Sequence, residues 1–367
     1  MIIQILGGFV GNIAQTGRAK QMEDEIFRNK VTWFSFGFSL LVIWVHSYNA
    51  ELYLSGMPQM AVIYRLQHNI GDGIGQIAVP GFFMISGYLF YRDFTWSKLG
   101  EKWNRRIRSI LVPYILWNFL YYIGYVIGSR LPWMTDVVGK GMIPFQLSVL
   151  VDAVIHYTYN YVFWYLFQLI LLIMLAPILY PILRYWWSRT GMLVVLWWLM
   201  ITGKELPFLN VDALIYYVSA SAFALTKRVW VEEKKGSQTN ERSYVLCGFG
   251  LMVVAAIIYQ TGLRRAWIPC FVLCRLLAVI GLWMAIPGCR FPKARNFMGH
   301  NFFLYGVHFA FVRFINKAGT RILPAVPAVP LLLYIFMPIL ILGIATVLGS
   351  LLRRYLPVIW MLLNGGR

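Results

Sequence analysis

A polar or ionisable side chain inside a long apolar run is expensive to keep in a membrane, so each one is a candidate for chemistry. Five stand out in this 367-residue sequence: His46, Gln168, Arg275, His308 and Arg313. His46 lies in Trp44-Val45-His46-Ser47-Tyr48-Asn49, where an apolar run gives way to hydroxyl and amide groups. An imidazole is able to titrate near neutrality and to serve as a general base. The plainer reading, an interfacial histidine hydrogen-bonded to a neighbouring helix, stands beside it.

Two further features carry unusual residue types. The stretch Ala78-Val79-Pro80-Gly81-Phe82-Phe83-Met84-Ile85-Ser86-Gly87-Tyr88-Leu89-Phe90 is an apolar span with small residues that permit close helix approach, and most of it reads as packing. The stretch Lys102-Trp103-Asn104-Arg105-Arg106-Ile107-Arg108, followed by Pro113-Tyr114, is a basic cluster at the mouth of the next span. It is either a topogenic signal or an anion site, since the arginine fork matches phosphate oxygens.

The elements that must position these residues follow from composition. Hydrophobic residues make up 59% of the chain, charged ones 13%, and mean hydropathy is +0.64, a balance that suits a lipid-facing exterior. Apolar runs near the ~20 residues that cross a bilayer fall at 31–48, 70–90, 109–128, 161–183, 190–203, 211–226, 243–261, 266–286, 299–316 and 329–352. The expected fold is therefore all-α, a polytopic membrane helix bundle of about ten transmembrane helices. The fifth run is short and 142–156 is a weaker amphipathic candidate, so nine or eleven spans are alternatives.

Lys and Arg are retained on the cytoplasmic side. With the N-terminus inside, 23 of the 33 fall in inner segments, 8 in outer loops, and Arg275 and Arg313 within spans. Both termini are thus expected in the cytoplasm of a bacterial-type inner (plasma) membrane. The net charge of +19 reflects this topology; the basic residues form no soluble basic domain, and no nucleic-acid partner is expected. Trp103, Trp133, Trp164 and Trp230 sit at run ends, as interfacial aromatics do. Residues 1–17 lack the basic start of a signal peptide and read as interfacial. Cys270 and Cys274 have no second pair and no nearby His, so they read as small hydrophobes and no metal site is expected. Gly71-Asp72-Gly73-Ile74-Gly75 has no strand before it and reads as a turn rather than a phosphate loop. No internal repeat is present.

In their order and spacing, these features resemble the acyltransferase-3 family of multi-pass membrane acyltransferases. Its members show a first-span histidine, a Phe-Phe-x-x-Ser-Gly-Tyr/Phe-Leu second span, and an arginine-rich start to the third span followed by Pro-Tyr. Phe163-Trp164-Tyr165-Leu166 and Gly299-His300-Asn301-Phe302-Phe303-Leu304-Tyr305-Gly306-Val307-His308 resemble its later motifs. The resemblance covers about 28–350 and divides the chain into an N-terminal cytoplasmic or interfacial segment (1–27), the membrane domain (28–352) and a short cytoplasmic tail (353–367). One departure is Ser35, where many members carry an arginine about eleven residues before the histidine.

The resemblance implies O-acyl transfer from a cytoplasmic acyl-CoA, most often acetyl-CoA, to a hydroxyl of an envelope sugar, glycan or lipid-linked precursor. His46 would be catalytic, and Arg105, Arg106 and Arg108 would hold the donor's phosphates. Ser86, Tyr88, Trp164, Arg275 and His308 are further pocket candidates, with Ser86, Tyr88 or Arg275 as oxyanion stabiliser. A transporter or flippase of a small polar or lipid-linked molecule is the alternative, and a non-catalytic member of a glycan-assembly complex a third.

Overall fold

The computed structural model describes residues 2–232, 241–261 and 267–366, with side chains for all of these but 2–20, 136 and 137. The interfacial reading of 1–17 therefore concerns side chains outside the described set. Among the described residues there are no strands, only a lone β-bridge between Leu206 and Leu209. The helices in chain order are α1 (Ile2–His46), α2 (Ala50–Leu54), α3 (Met60–Gly73), α4 (Ala78–Tyr91), α5 (Leu99–Arg106), α6 (Val112–Gly128), α7 (Thr135–Val138), α8 (Leu147–Ile155) and α9 (Trp164–Met174). They continue as α10 (Ala176–Arg184), α11 (Trp186–Thr202), α12 (Val211–Thr226), α13 (Arg228–Val231), α14 (Glu241–Gln260), α15 (Ile268–Ala285), α16 (Asn301–Ile322), α17 (Ala328–Tyr355) and α18 (Pro357–Leu363).

A helix covers each of the ten apolar runs. Among the described residues six segments are long and apolar enough to cross a membrane, and the pair α9 and α10, bent by 65° at Leu175, would make a seventh. The other three fall short of that test: α11 and α12 have 17 and 16 residues, and α16 carries Arg313, Lys317 and Arg321. The chain is an all-helical, multi-pass membrane protein. Three expectations change. The 142–156 candidate holds only the nine-residue α8, too short to cross. Gly71, Asp72 and Gly73 are helical, forming the end of α3 rather than a turn. The segment after 352 is more than a tail, because α18 packs on α6 and buries Trp360 and Leu363.

Three local breaks set the geometry. The first is the end of α1, where Gln67 Oε1 accepts the backbone N–H groups of Asn49 (3.1 Å) and Ala50 (3.2 Å) while its Nε2 donates to Asn49 Oδ1 (2.7 Å). These would be orphan groups in hydrocarbon, and the buried carboxamide satisfies them. The second is a π-helical turn, Ile107–Leu111, joining α5 to α6. Pro113 has no N–H for the Ser109 carbonyl and its ring crowds it, so the widened turn accommodates the proline. The third is Pro177, which likewise lacks an N–H for the Ile173 carbonyl; the Trp103 indole donates there instead (3.0 Å) and ties α5 to the α9–α10 break. Trp103 is thus a tie between helices and not merely an interfacial ring.

Close approach sets the core. A Cβ on Gly87 of α4 would lie 2.6 Å from the Tyr217 carbonyl oxygen and 2.8 Å from Ser221 Oγ on α12, so the α4 backbone packs directly on the backbone of α12. At the end of the bundle bearing Arg105 to Arg108, called here the basic end, a charge network closes the seam between α1, α4 and α13. Arg92 donates to Glu232 Oε1 (2.8 Å) and Asp24 Oδ1 (2.6 Å), Arg228 Nε donates to Glu232 Oε1 (2.5 Å), and Arg228 also pairs with Asp93. Burial alone would push the Glu232 carboxyl up, but hydrogen bonds and charge from Arg92 and Arg228 outweigh it and hold it below its ordinary value.

Glu232→Gln should therefore lower stability by about 3 kcal/mol at pH 7, since it leaves two guanidinium groups short of a counter-charge. The depressed carboxyl contributes fully above its ordinary pKa of 4.5 and loses that contribution as pH falls through the lower folded value. Thermal unfolding in detergent should show a gap of several degrees between wild type and variant at pH 7 that closes in acid.

Candidate active site

Construction of the site starts at the basic end. Arg106, the last residue of α5, is half-buried and lines three cavities. One of about 520 Å³ holds Arg28, Arg92, Lys98 and Lys102; a second of about 780 Å³ holds Arg105, Arg108 and the backbone at Gly365. The third, about 340 Å³, runs into the bundle past Thr32, Ser35 and Ser86 to Tyr165 and Tyr305.

The cations there differ in their partners. Arg92 is held by Asp24 and Glu232, Lys102 Nζ donates to the Phe90 (2.7 Å) and Arg92 (2.9 Å) carbonyls at the end of α4, and exposed Arg105 pairs with Glu101 (2.7 Å). Arg106 has no carboxylate partner among the described residues. An unpaired guanidinium at the head of a cavity is suited to receive an anion from outside the chain.

The inner cavity is polar along one wall. Ser86 Oγ and Tyr165 Oη are 3.3 Å apart, and Asn301 Oδ1 is buried without a hydrogen-bond partner among the described residues. Ser35 supplies part of the opposite wall. It stands eleven residues before His46 on α1, roughly 16 Å along the helix axis. An arginine there would fill space that this chain leaves open.

At its far end the cavity closes on Tyr305, whose hydroxyl donates to the Val162 carbonyl. The Tyr305 and His308 rings lie one helical turn apart on α16, with centroids 5.4 Å apart, and the His308 ring is 5.4 Å from that of His46. His46 also meets Tyr161: Nδ1 and the Tyr161 hydroxyl are 3.0 Å apart, in a T-shaped ring contact. His308 is fully buried, and its Nδ1 lies 2.6 Å from the Tyr305 carbonyl oxygen. A carbonyl only accepts, so Nδ1 carries the proton and Nε2 is a bare acceptor. That Nε2 has no partner among the described residues.

The structure therefore brings together Arg106, Ser86 and, one turn beyond the cavity, His308 and His46. The cavity headed by Arg106 reaches Tyr305, and the Tyr305 and His308 rings fill the remaining turn to His46. Other expected pocket residues stand elsewhere. Tyr88 donates to Glu232 Oε1 (2.9 Å) at the basic end, away from His46. Arg275 donates to Gln76 Oε1 (2.5 Å) and lies over the Phe271 ring. Trp164 packs on Phe83, and its neighbour Tyr165 lines the cavity in its place. Gln168 clips the 208–210 turn, and Arg313 donates to Tyr125 Oη (2.6 Å). Tyr161 was not singled out from the sequence, and Tyr165 entered only as a member of the Phe163-Trp164-Tyr165-Leu166 motif. No group of three or more metal-ligating side chains is present among the described residues.

The fold is that of a multi-pass membrane helix bundle, with a basic mouth and a cavity that leads toward a histidine pair. More particularly, the chain belongs to the acyltransferase-3 family: the family model, described as an acyltransferase domain, matches residues 36–352. No curated protein and no solved structure matches it. The protein is a multi-pass membrane acyltransferase.

Tyr161→Phe keeps the ring against His46 but removes its hydroxyl partner, so acyl-transfer rate should fall roughly tenfold, the usual worth of one such bond. Trp164→Phe, which alters only the packing on Phe83, should stay within about twofold in the same assay.

Proposed function

We propose that this protein transfers an acyl group from a cytoplasmic acyl-CoA, with acetyl-CoA the family's usual donor, to a hydroxyl of an envelope sugar, glycan or lipid-linked precursor. The reading rests chiefly on one observation: the unpaired Arg106 heads a cavity that ends one helical turn short of His308 and His46. Ten crossings with both termini in the cytoplasm of a bacterial inner membrane fit the distribution of basic residues, 23 of 33 toward the inner side. In that orientation the basic mouth faces the compartment that holds CoA thioesters, and His46 lies toward the opposite leaflet.

In this mechanism Arg106, with Arg105 and Arg108 at the rim, binds the donor's phosphates, and the pantetheine arm lies along Ser35, Ser86 and Tyr165. His46, with Nδ1–H donated to Tyr161, uses Nε2 to take the proton of the acceptor hydroxyl. With the Tyr305 and His308 rings turned aside so that the cavity reaches His46, the acceptor oxygen attacks the thioester carbonyl, and the tetrahedral intermediate expels the CoA thiolate, which recovers the proton from His46. The acceptor gains the ester, and free CoA leaves by the basic mouth. His308, adjacent to both His46 and Tyr305, positions the pair and offers a second acceptor for the moving proton. The broken helix at Leu175 would also suit a transport path, but there Leu172, Ala176 and Leu179 are fully packed and Trp103 closes the break.

Purified protein in detergent, given radiolabelled acetyl-CoA and extracted envelope material, should release CoA and label the extract. His46→Ala should abolish both while expression and membrane insertion persist; full activity in that variant removes His46 from the mechanism. Arg106→Gln should raise KM for the donor by about tenfold or more, the worth of a charge-assisted contact, with a smaller change in kcat. Solute uptake in liposomes without CoA binding would favour transport instead.

A further inference from the structure

A second kind of space adjoins the site. Between α1, α4, α12 and the α14–α15 hairpin lies a cavity of about 240 Å³ whose walls are aliphatic and aromatic, among them Phe34, Phe38, Met84, Val279 and Ile280. Four wall residues carry polar side-chain atoms, Tyr88, whose Oη donates to Glu232, Trp283, whose Nε1 donates to the Val231 carbonyl (3.2 Å), and Trp230 and Tyr244, yet nearly all the surface lining the cavity is apolar. Such a space excludes water and favours a hydrocarbon occupant.

Its position limits that occupant. Val31 and Leu89 line this cavity, the 520 Å³ basic mouth and the inner cavity alike, and Ile85 lines it and the inner cavity. The same side chains therefore wall three adjoining spaces of different chemistry: a cationic mouth, a polar cavity leading toward the histidines, and a dry apolar slot. We propose that the slot holds the alkyl tail of a fatty acyl-CoA, so that the acyl group transferred is longer than acetyl. This inference rests on the acyl-CoA reading above and names the donor within it.

A fatty acyl-CoA has the three parts in the required order, an anionic head, a polar arm with the thioester, and an alkane tail. A membrane phospholipid shares the phosphate and the tails, but the two cavities flanking Arg106, about 520 and 780 Å³, are sized for a nucleotide-bearing head rather than a single phosphodiester. The head and arm enter at Arg106, the thioester lies in the inner cavity, and the tail leaves it past Ile85 into the slot. The fourth wall is the hairpin, where α14 packs chiefly on α15 through Gly248 and Gly281. A wall held to the core by one helix can shift to suit chain length. Each methylene buried there should strengthen binding by about fourfold until the slot is full.

The test uses the full chain in nanodiscs with extracted envelope material supplied as acceptor, and CoA release is measured for acetyl-, octanoyl- and dodecanoyl-CoA. The expected result is a KM for dodecanoyl-CoA at least about tenfold below that for acetyl-CoA. Ile280→Trp, which fills the slot, should erase most of that difference, and Ile280→Ala, which widens it, should not; the opposed pair separates occupancy from misfolding. A dodecanoyl-CoA with a terminal diazirine should crosslink to the peptides holding Met84 and Ile280 and be competed by unlabelled dodecanoyl-CoA. Acetyl-CoA turned over with an equal or lower KM, or crosslinking of those peptides by a diazirine phospholipid that dodecanoyl-CoA does not displace, would overturn the slot while leaving acyl transfer intact. Release of CoA from none of the donors would defeat both.

Discussion

The Gln67 carboxamide holds the point at which α1 stops. Where α1 gives way to α2, the N–H groups that open α2 have no acceptor within their own helix, and each buried one must find a partner elsewhere. Gln67 takes two of them, at Asn49 and Ala50, and Asn49 Nδ2 in turn donates to Asn316 Oδ1 (3.1 Å) on α16. The knot therefore sets where the chain leaves the axis after His46 and also the register of α1 against α16. Because Asn316 and His308 share α16, two turns apart, the same contact governs the distance between the His46 and His308 rings.

The same rule acts at the basic end through proline. Pro113 and Pro177 each deprive a carbonyl four residues earlier of its usual donor. The π turn at Ile107–Leu111 absorbs the first, and the Trp103 indole serves the second. Since Trp103 and Arg106 lie on the same short helix, the second repair also places Arg106 at the mouth. Local irregularity in α5 and α9 is thus coupled to the position of the half-buried Arg106 guanidinium, which lacks an acidic partner among the described residues.

Charge is distributed by the same economy of partners. Carboxylates near the mouth are committed, with Glu232 to Arg92 and Arg228, Asp24 to Arg92 and Glu101 to Arg105. What is left over is cationic, so the field at the mouth favours an anionic visitor. Deeper in, ionic groups give way to hydroxyls, then to the two imidazoles, while the apolar slot branches off at Val31, Ile85 and Leu89.

The sequence by itself determined the helical, multi-pass character, because runs of about twenty apolar residues have no other way to satisfy their backbone in a membrane. It also determined the family, and it made His46, His308 and Ser86 conspicuous as polar atoms in apolar runs and Arg105, Arg106 and Arg108 as a basic cluster. It did not distinguish Arg106 from Arg105 and Arg108, which face different surroundings only once α5 is docked. Tyr88 and Arg275 looked equally suited to the site, and only the packing of α13 and of Gln76 against them showed other partners. Tyr165 displaced Trp164 because one residue of helix is a turn of 100°, which hydropathy does not register. Pairing across helices far apart in the chain, such as Gln67 with Asn49 or Trp103 with Ile173, depends on which faces meet, and that was decided by tertiary structure alone.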